Sequence, residues 1–184
     1  YHSDNLLPYI QYYIKAYLSH YSYLLHLNKK VIILYIHYIY KMTDTELLTN
    51  TDLEYYAGLF KIPLNGVFSK DLFESKRPKL GNYVVNLENS DYGGSHWTCL
   101  ILTKNMAIYY DSFGAPMPQE IIRFVKRFNN KAIIIYSIDQ IQHIDSIYCG
   151  WFCLEMLHWF SVRHKKNTNY RVLLNKHNAQ YDLD

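Results

Sequence analysis

The sequence predicts an α+β fold, a central β-sheet packed against one long helix in the C-terminal half, and three observations predict it. Residues 82–110 break into short apolar runs bounded by turn residues, as strands do. Residues 118–128 place apolar side chains on one helical face and lead into the continuous, β-branched run Ala132 to Tyr136. From Cys149 to His164, Phe152, Met156, Trp159 and Phe160 recur at helical spacing, which makes this segment the central helix.

The bounds set by composition agree. A chain of 184 residues buries a core without disulfide or metal staples, and 49% apolar with 19% charged residues excludes disorder as the main state. A net charge of +3 is too small for a dedicated nucleic-acid binder. Cys99, Cys149 and Cys153 are an odd number without paired metal-type spacing, and a disulfide between Cys149 and Cys153 would be awkward within one helical turn, so a reducing compartment is expected.

Residues 1–41 read differently from the rest. They hold 10 of the 20 tyrosines, none of the 7 glycines, and the whole charge excess through Lys15, Lys29, Lys30 and Lys41 against Asp4. A membrane span needs about 18 uncharged apolar residues, and the lysines leave only Val31 to Tyr40. The parts of a signal peptide are absent. The expectation is that translation starts at Met42, residues 1–41 being upstream sequence read in frame. The alternative is a pro-segment or an extra helix over the core.

From Met42 onward the elements follow in order. Thr43-Asp44-Thr45-Glu46 has capping-box spacing and is expected to start a helix through Thr49, with a second helix from Thr51 to Phe60. Ile62 to Gly66 is turn chemistry, and the charged stretch Ser69 to Leu80, with Pro78, reads as an exposed loop. Strands are expected at Tyr83 to Leu87, His96 to Leu102 and Ala107 to Tyr110. A tight turn at Lys104-Asn105 would bring His96 near Asp111. Pro118 opens a helix through Phe128 that buries Ile121, Ile122, Phe124, Val125 and Phe128 and leaves Arg123, Lys126 and Arg127 in solvent. Ala132 to Tyr136 is expected to be a strand covered on both faces, followed by a polar loop from Ser137 to Tyr148.

A nucleophilic thiol needs a base, a group that orients the base, and donors for an oxyanion. Cys149 stands at the start of the central helix, where unpaired N–H groups favour thiolate, and Gly150 permits close backbone approach. His96 titrates in the range a general base requires, and Asp111 can hold its tautomer.

These residues stand in a context that resembles the adenovirus maturation protease, adenain, and more distantly the SUMO-specific proteases. Gly93-Gly94-Ser95-His96-Trp97 resembles the family's Gly-Gly-x-His-Trp segment, and Tyr110-Asp111-Ser112-Phe113-Gly114 its acidic residue followed by x-Phe-Gly, with Asp where adenain has Glu. Gln142, seven residues before Cys149-Gly150-Trp151-Phe152-Cys153, is similar in spacing to adenain's oxyanion glutamine and its Cys-Gly-x-Phe-Cys. Gly66 to Asp71 is similar to a segment of virophage and Polinton proteases.

The resemblance spans Thr43 to Phe160 and implies a papain-like, adenain-like cysteine protease fold with a mixed sheet, and a protease domain over residues 42–184. It implies Cys149 as nucleophile, His96 as base, Asp111 as its orienting group and Gln142 as oxyanion donor, with Gln140 the rival for that last role. It further implies cleavage of viral capsid or other virion precursors at small, Gly-containing sites, in the virion and the infected cell, by a monomer without a membrane anchor. No cofactor is needed for the chemistry. A peptide or DNA activator would follow adenain, the DNA meeting Lys76-Arg77-Lys79, Arg123-Lys126-Arg127 or Arg163-His164-Lys165-Lys166, although solvated faces explain these clusters more simply. No cysteine before Ser137 matches adenain's activating disulfide. The alternatives are a protease for a ubiquitin-like modifier, an acyltransferase on the same triad, and an inactive structural or DNA-binding virion protein. The last would lack a triad member, and none is missing.

Overall fold

Thr49 starts the first helix of the computed structural model, which describes residues 47–163 and 169–178. The leader 1–41 and the Thr43 to Glu46 motif lie outside these residues. The Thr49 hydroxyl accepts the Asp52 N–H at 3.3 Å and the Asp52 carboxylate accepts the Thr49 N–H at 3.0 Å, a reciprocal cap for α1, Asn50–Leu59. Leu47 to Thr49 are therefore not helical, contrary to expectation. The hydroxyl-x-x-carboxylate pattern is used at Thr49, where the apolar face of Leu53, Tyr56 and Ala57 follows.

The sheet begins at β1 (Gly66–Ser69), and the segment expected to be an exposed loop, Ser69 to Leu80, forms a helix over its first half instead, α2 (Lys70–Ser75). Phe73 explains the difference. It is fully buried, its ring 3.9 Å from that of Phe124 and 5.2 Å, edge on, from Tyr83. Burying one Phe contributes about 1.5–3 kcal/mol, enough to draw a charged turn of helix onto the sheet. The charges then point outward: Asp71 accepts both the N–H and the hydroxyl of Ser90, and Glu74 pairs with Arg123 at 2.5 Å.

The sheet continues with β2 (Gly81–Asn86), β3 (Trp97–Leu102), β4 (Met106–Tyr110) and β5 (Ile133–Tyr136), in the order β1-β2-β3-β4-β5. It is mixed: β2, β3 and β4 are antiparallel, while β1 runs parallel to β2 and β5 parallel to β4. The β3–β4 connection is the expected tight hairpin, with Thr103 N–H bonded to Met106 O at 2.8 Å across Lys104-Asn105. Helix α3 (Gln119–Phe128) is the crossover from β4 to β5. It buries Ile121, Phe124 and Val125, with Ile122 and Phe128 partly covered, against Tyr83, Val85, Leu100, Leu102, Ala107 and Tyr109.

Strand alternation sends Cys99 to the opposite face, where its thiol meets that of Cys153 on the central helix α4 (Cys149–Arg163). Phe152, Met156, Trp159 and Phe160 are buried as their spacing predicts, and Trp151 packs on Tyr56 with ring centroids 4.7 Å apart. The fold is thus α+β, a mixed sheet packed against the helix that carries Cys149. One expectation is corrected at β5. Among the described residues it ends the sheet, and Ile133 and Tyr136 are 61% and 41% exposed, whereas Ala132 and Ile135 are buried. Helix α5 (Tyr170–Asn178) then lays Tyr170 against Phe160 and directs Asn178 to Ser137 and Asp139.

Candidate active site

The hairpin delivers the first two residues. Cys99 pairs with Tyr110, so the residues just before β3 and just after β4 emerge side by side at one end of the sheet. There His96 Nε2 and Asp111 Oδ1 are 2.8 Å apart. The Asp111 carboxylate is buried and collects two further donors, the Phe113 N–H at 2.8 Å and the Tyr109 hydroxyl at 3.4 Å. The Phe113 ring stacks on the His96 imidazole at 4.6 Å between centroids, so the base is held in its plane as well as at its edge.

Cys149 is the first residue of α4 and is buried; its sulfur accepts the Trp97 backbone N–H at 3.4 Å. Trp97 is itself anchored, its indole N–H donating to Leu48 O at 2.9 Å. Gly150 has a packing reason: a Cβ there would stand 3.2 Å from the Leu48 side chain and 3.3 Å from that of Leu53. Burial alone would lower the affinity of His96 for its second proton, but hydrogen bonding to Asp111 and to Cys149, with the attraction of both, outweighs it and pushes the imidazole up to about 9. With Nε2 on Asp111, Nδ1 is the ring nitrogen left for the thiol.

The structure separates the two glutamines. Gln140 is exposed, its amide donating to Gln142 O at 3.1 Å. Gln142 is buried, with Oε1 accepting the Ser112 hydroxyl at 2.5 Å and Nε2 donating to Ser146 O at 2.7 Å. Ser112 O also accepts the N–H groups of Ile141 and Gln142, at 2.9 and 3.0 Å. The dipeptide Asp111-Ser112 therefore holds His96 on one side and the loop of Gln142 on the other. Sequence reasoning gave no role to Ser112, Phe113 or Tyr109. Their signal, adjacency to Asp111, acquires meaning only when the loop packs against the turn.

The other thiols belong to the core. Cys99 and Cys153 are buried and free, and burial first, then Cys99, pushes the Cys153 thiol well up. Two members of the second basic cluster serve the fold: Arg127 donates to the Glu74 and Lys76 carbonyls and Lys126 to those of Asn130 and Ala132. Among the described residues no group of three or more His, Cys, Asp or Glu could hold a metal, and no helix is long and apolar enough to cross a membrane.

No family model and no curated protein matches the chain. Among solved structures it is similar to the ASFV pS273R protease, at TM-score 0.45 and 15% identity in its Se-Met form, over 76% of this chain and 67% of that one. A second structure of that protease matches at TM-score 0.44 and 14% identity, over 76% and 68%. The SUMO protease Ulp1, with its catalytic cysteine oxidized to a sulfinic acid, matches at TM-score 0.43 and 13% identity, over 77% and 78%.

Proposed function

We propose that the chain is a cysteine endopeptidase in which His96, Asp111 and Cys149 form the catalytic set and Gln142 supplies an oxyanion donor. The observation that carries the reading is geometric: the His96 imidazole is held by Asp111 at 2.8 Å, and the N–H of its neighbour Trp97 bonds the Cys149 sulfur at 3.4 Å; the attraction of Asp111 and Cys149 pushes the imidazole up to about 9 against burial. An imidazolium beside a thiol at a helix N-terminus favours the thiolate, the reactive form.

The steps follow from this arrangement. In the resting ion pair His96 already holds the proton on Nδ1, and the Cys149 thiolate sulfur bonds to the scissile carbonyl carbon. The resulting oxyanion takes hydrogen bonds from the Cys149 N–H and the free N–H of the Gln142 amide. As the C–N bond breaks, His96 gives its proton to the departing amine and a thioester remains. Water then loses a proton to His96 and bonds to the acyl carbon. The C–S bond breaks, which releases the acid and restores the ion pair. Asp111 keeps the imidazole oriented throughout without itself exchanging a proton.

The substrate reading is finer. We assign to the chain the processing of viral capsid or other virion precursors in the virion and infected cell, with a peptide or DNA activator, on the family resemblance of its motifs. The near closure of the site supports small residues at the cut: Cys149 is 3% and the His96 side chain 13% exposed, so a bulky side chain next to the scissile bond would not reach the sulfur. The test is incubation of the purified chain and of Cys149→Ala with capsid-precursor peptides containing Gly-Gly and with a ubiquitin-like fusion, read by fragment mass. Cleavage of the first by the wild type alone supports the reading. Cleavage of the fusion alone would replace it with a modifier protease, and no Cys149-dependent cleavage of either would refute it.

A further inference from the structure

We propose that Ser112 is a positioning residue that anchors the Gln142 amide, whose orientation the Ser146 carbonyl sets, so that one N–H faces the reacting carbonyl. The inference rests on the reading of Gln142 as an oxyanion donor. A glutamine amide is nearly symmetric in shape, so a half-turn exchanges its acceptor oxygen and its donor nitrogen at almost no steric cost. In the wrong orientation it would present a lone pair to a developing oxyanion and oppose the reaction.

The Ser146 carbonyl, which can only accept, decides which end of the amide is which, and the Ser112 hydroxyl holds the other end in place. The Ser112 hydroxyl donates to Gln142 Oε1 at 2.5 Å, and the Ser146 carbonyl takes one N–H of Nε2 at 2.7 Å. The other N–H of Nε2 is thereby left for an oxyanion. Ser112 and Gln142 are both buried, so water cannot replace a lost donor as it would at the surface. Ser112 is also placed by its own backbone, whose carbonyl accepts from Ile141 and Gln142, and by its neighbour Asp111, which is fixed on His96. Base and oxyanion donor are thus registered to each other through two consecutive residues at the end of β4.

The test uses the full chain and two independent readouts. Ser112→Ala is expected to lower kcat by about tenfold or more with little change in KM, because the lost donor anchors a group that acts in the transition state. The alkaline limb of the pH profile, set by His96, should stay in place, and Ser112→Ala should have no further effect in a Gln142→Ala background. A shift of that limb, or additive losses in the double variant, would mean that Ser112 supports the Asp111 turn and would overturn the assignment.

The second readout is a crystal structure of Ser112→Ala, in which the Gln142 amide is expected to withdraw or lose its single fixed position. An amide unchanged in place would overturn the proposal whatever the activity. Wild-type protein that cleaves nothing would defeat the protease reading and leave this structural comparison to decide Ser112. Should Ser112→Ala fail to fold, Ser112→Cys, of similar shape with a weak donor, enters the same comparison.

Discussion

Gly114 lies against the backbone of Ile138 so closely that no side chain fits between them: a Cβ on Gly114 would stand 2.6 Å from the Ile138 carbonyl oxygen. Gly114 closes the turn of the site carboxylate, its N–H on Asp111 O at 2.9 Å, and Ile138 opens the loop that carries Gln142. The φ of Gly114 is 72°, a region that side chains with a Cβ disfavour.

Gly114→Ala therefore meets two obstacles at once, a clash and a strained φ worth about 1–3 kcal/mol by itself. Denaturant unfolding should show a loss of at least that size, with activity falling more steeply than stability. Gly93→Ala is the control. Gly93 has open space where its Cβ would go, and its stability change should stay within about 0.5 kcal/mol. Equal losses for the two would contradict the packing argument.

The pH dependence follows from His96. Its folded value, about 9, lies above the ordinary 6.5, so protonated His96 favours the folded state. That contribution is complete below about pH 6.5, declines as pH rises, and is gone above about pH 9, with a size of order 3 kcal/mol. kcat/KM should fall on the alkaline side with an apparent value near 9, and Asp111→Asn, which removes a charge that raises His96, should move the limb downward. An alkaline limb that ignores Asp111→Asn would separate His96 from it.

The three thiols should separate by position. Cys149→Ala is expected to abolish cleavage, while Cys99→Ala and Cys153→Ala retain most of it. An alkylating reagent should label Cys149 first in the native protein, since burial pushes the Cys153 thiol well up and away from the reactive form. Peptide mass mapping over time gives the order, and uniform labelling of all three would remove the special status of Cys149.

For the glutamines, Gln142→Ala should reduce kcat by about a hundredfold with KM little changed, the usual cost of an oxyanion donor. Gln140→Ala, which alters an exposed side chain bonded to a backbone carbonyl, should cost only a few-fold. Steady-state kinetics on a single peptide distinguishes the two, and the reverse ranking would reassign the donor.

What could be read from the sequence is what local physics determines. The Lys104-Asn105 turn sets the β3–β4 register, and register alone brings His96 to Asp111. The apolar faces of α3 and α4 repeat at helical period, so their buried residues could be named in advance. Tertiary structure decided the rest. Leu72 and Phe73 are adjacent in a charged stretch, too little for a period, and Phe73 makes α2 only because Phe124 and Tyr83 wait across the core. Nothing in Ala132 to Tyr136 says that β5 lies at the edge of the sheet among the described residues, so the exposure of Ile133 and Tyr136 was hidden. Gln140 and Gln142 stand two apart in a loop without periodicity, and spacing ranks them only through likeness to another protein. What the fold adds is that Gln142 is buried and held by the Ser112 hydroxyl, which belongs to a turn 30 residues away, while Gln140 is exposed. A buried amide must find partners for both of its ends, and only the folded chain shows where they are.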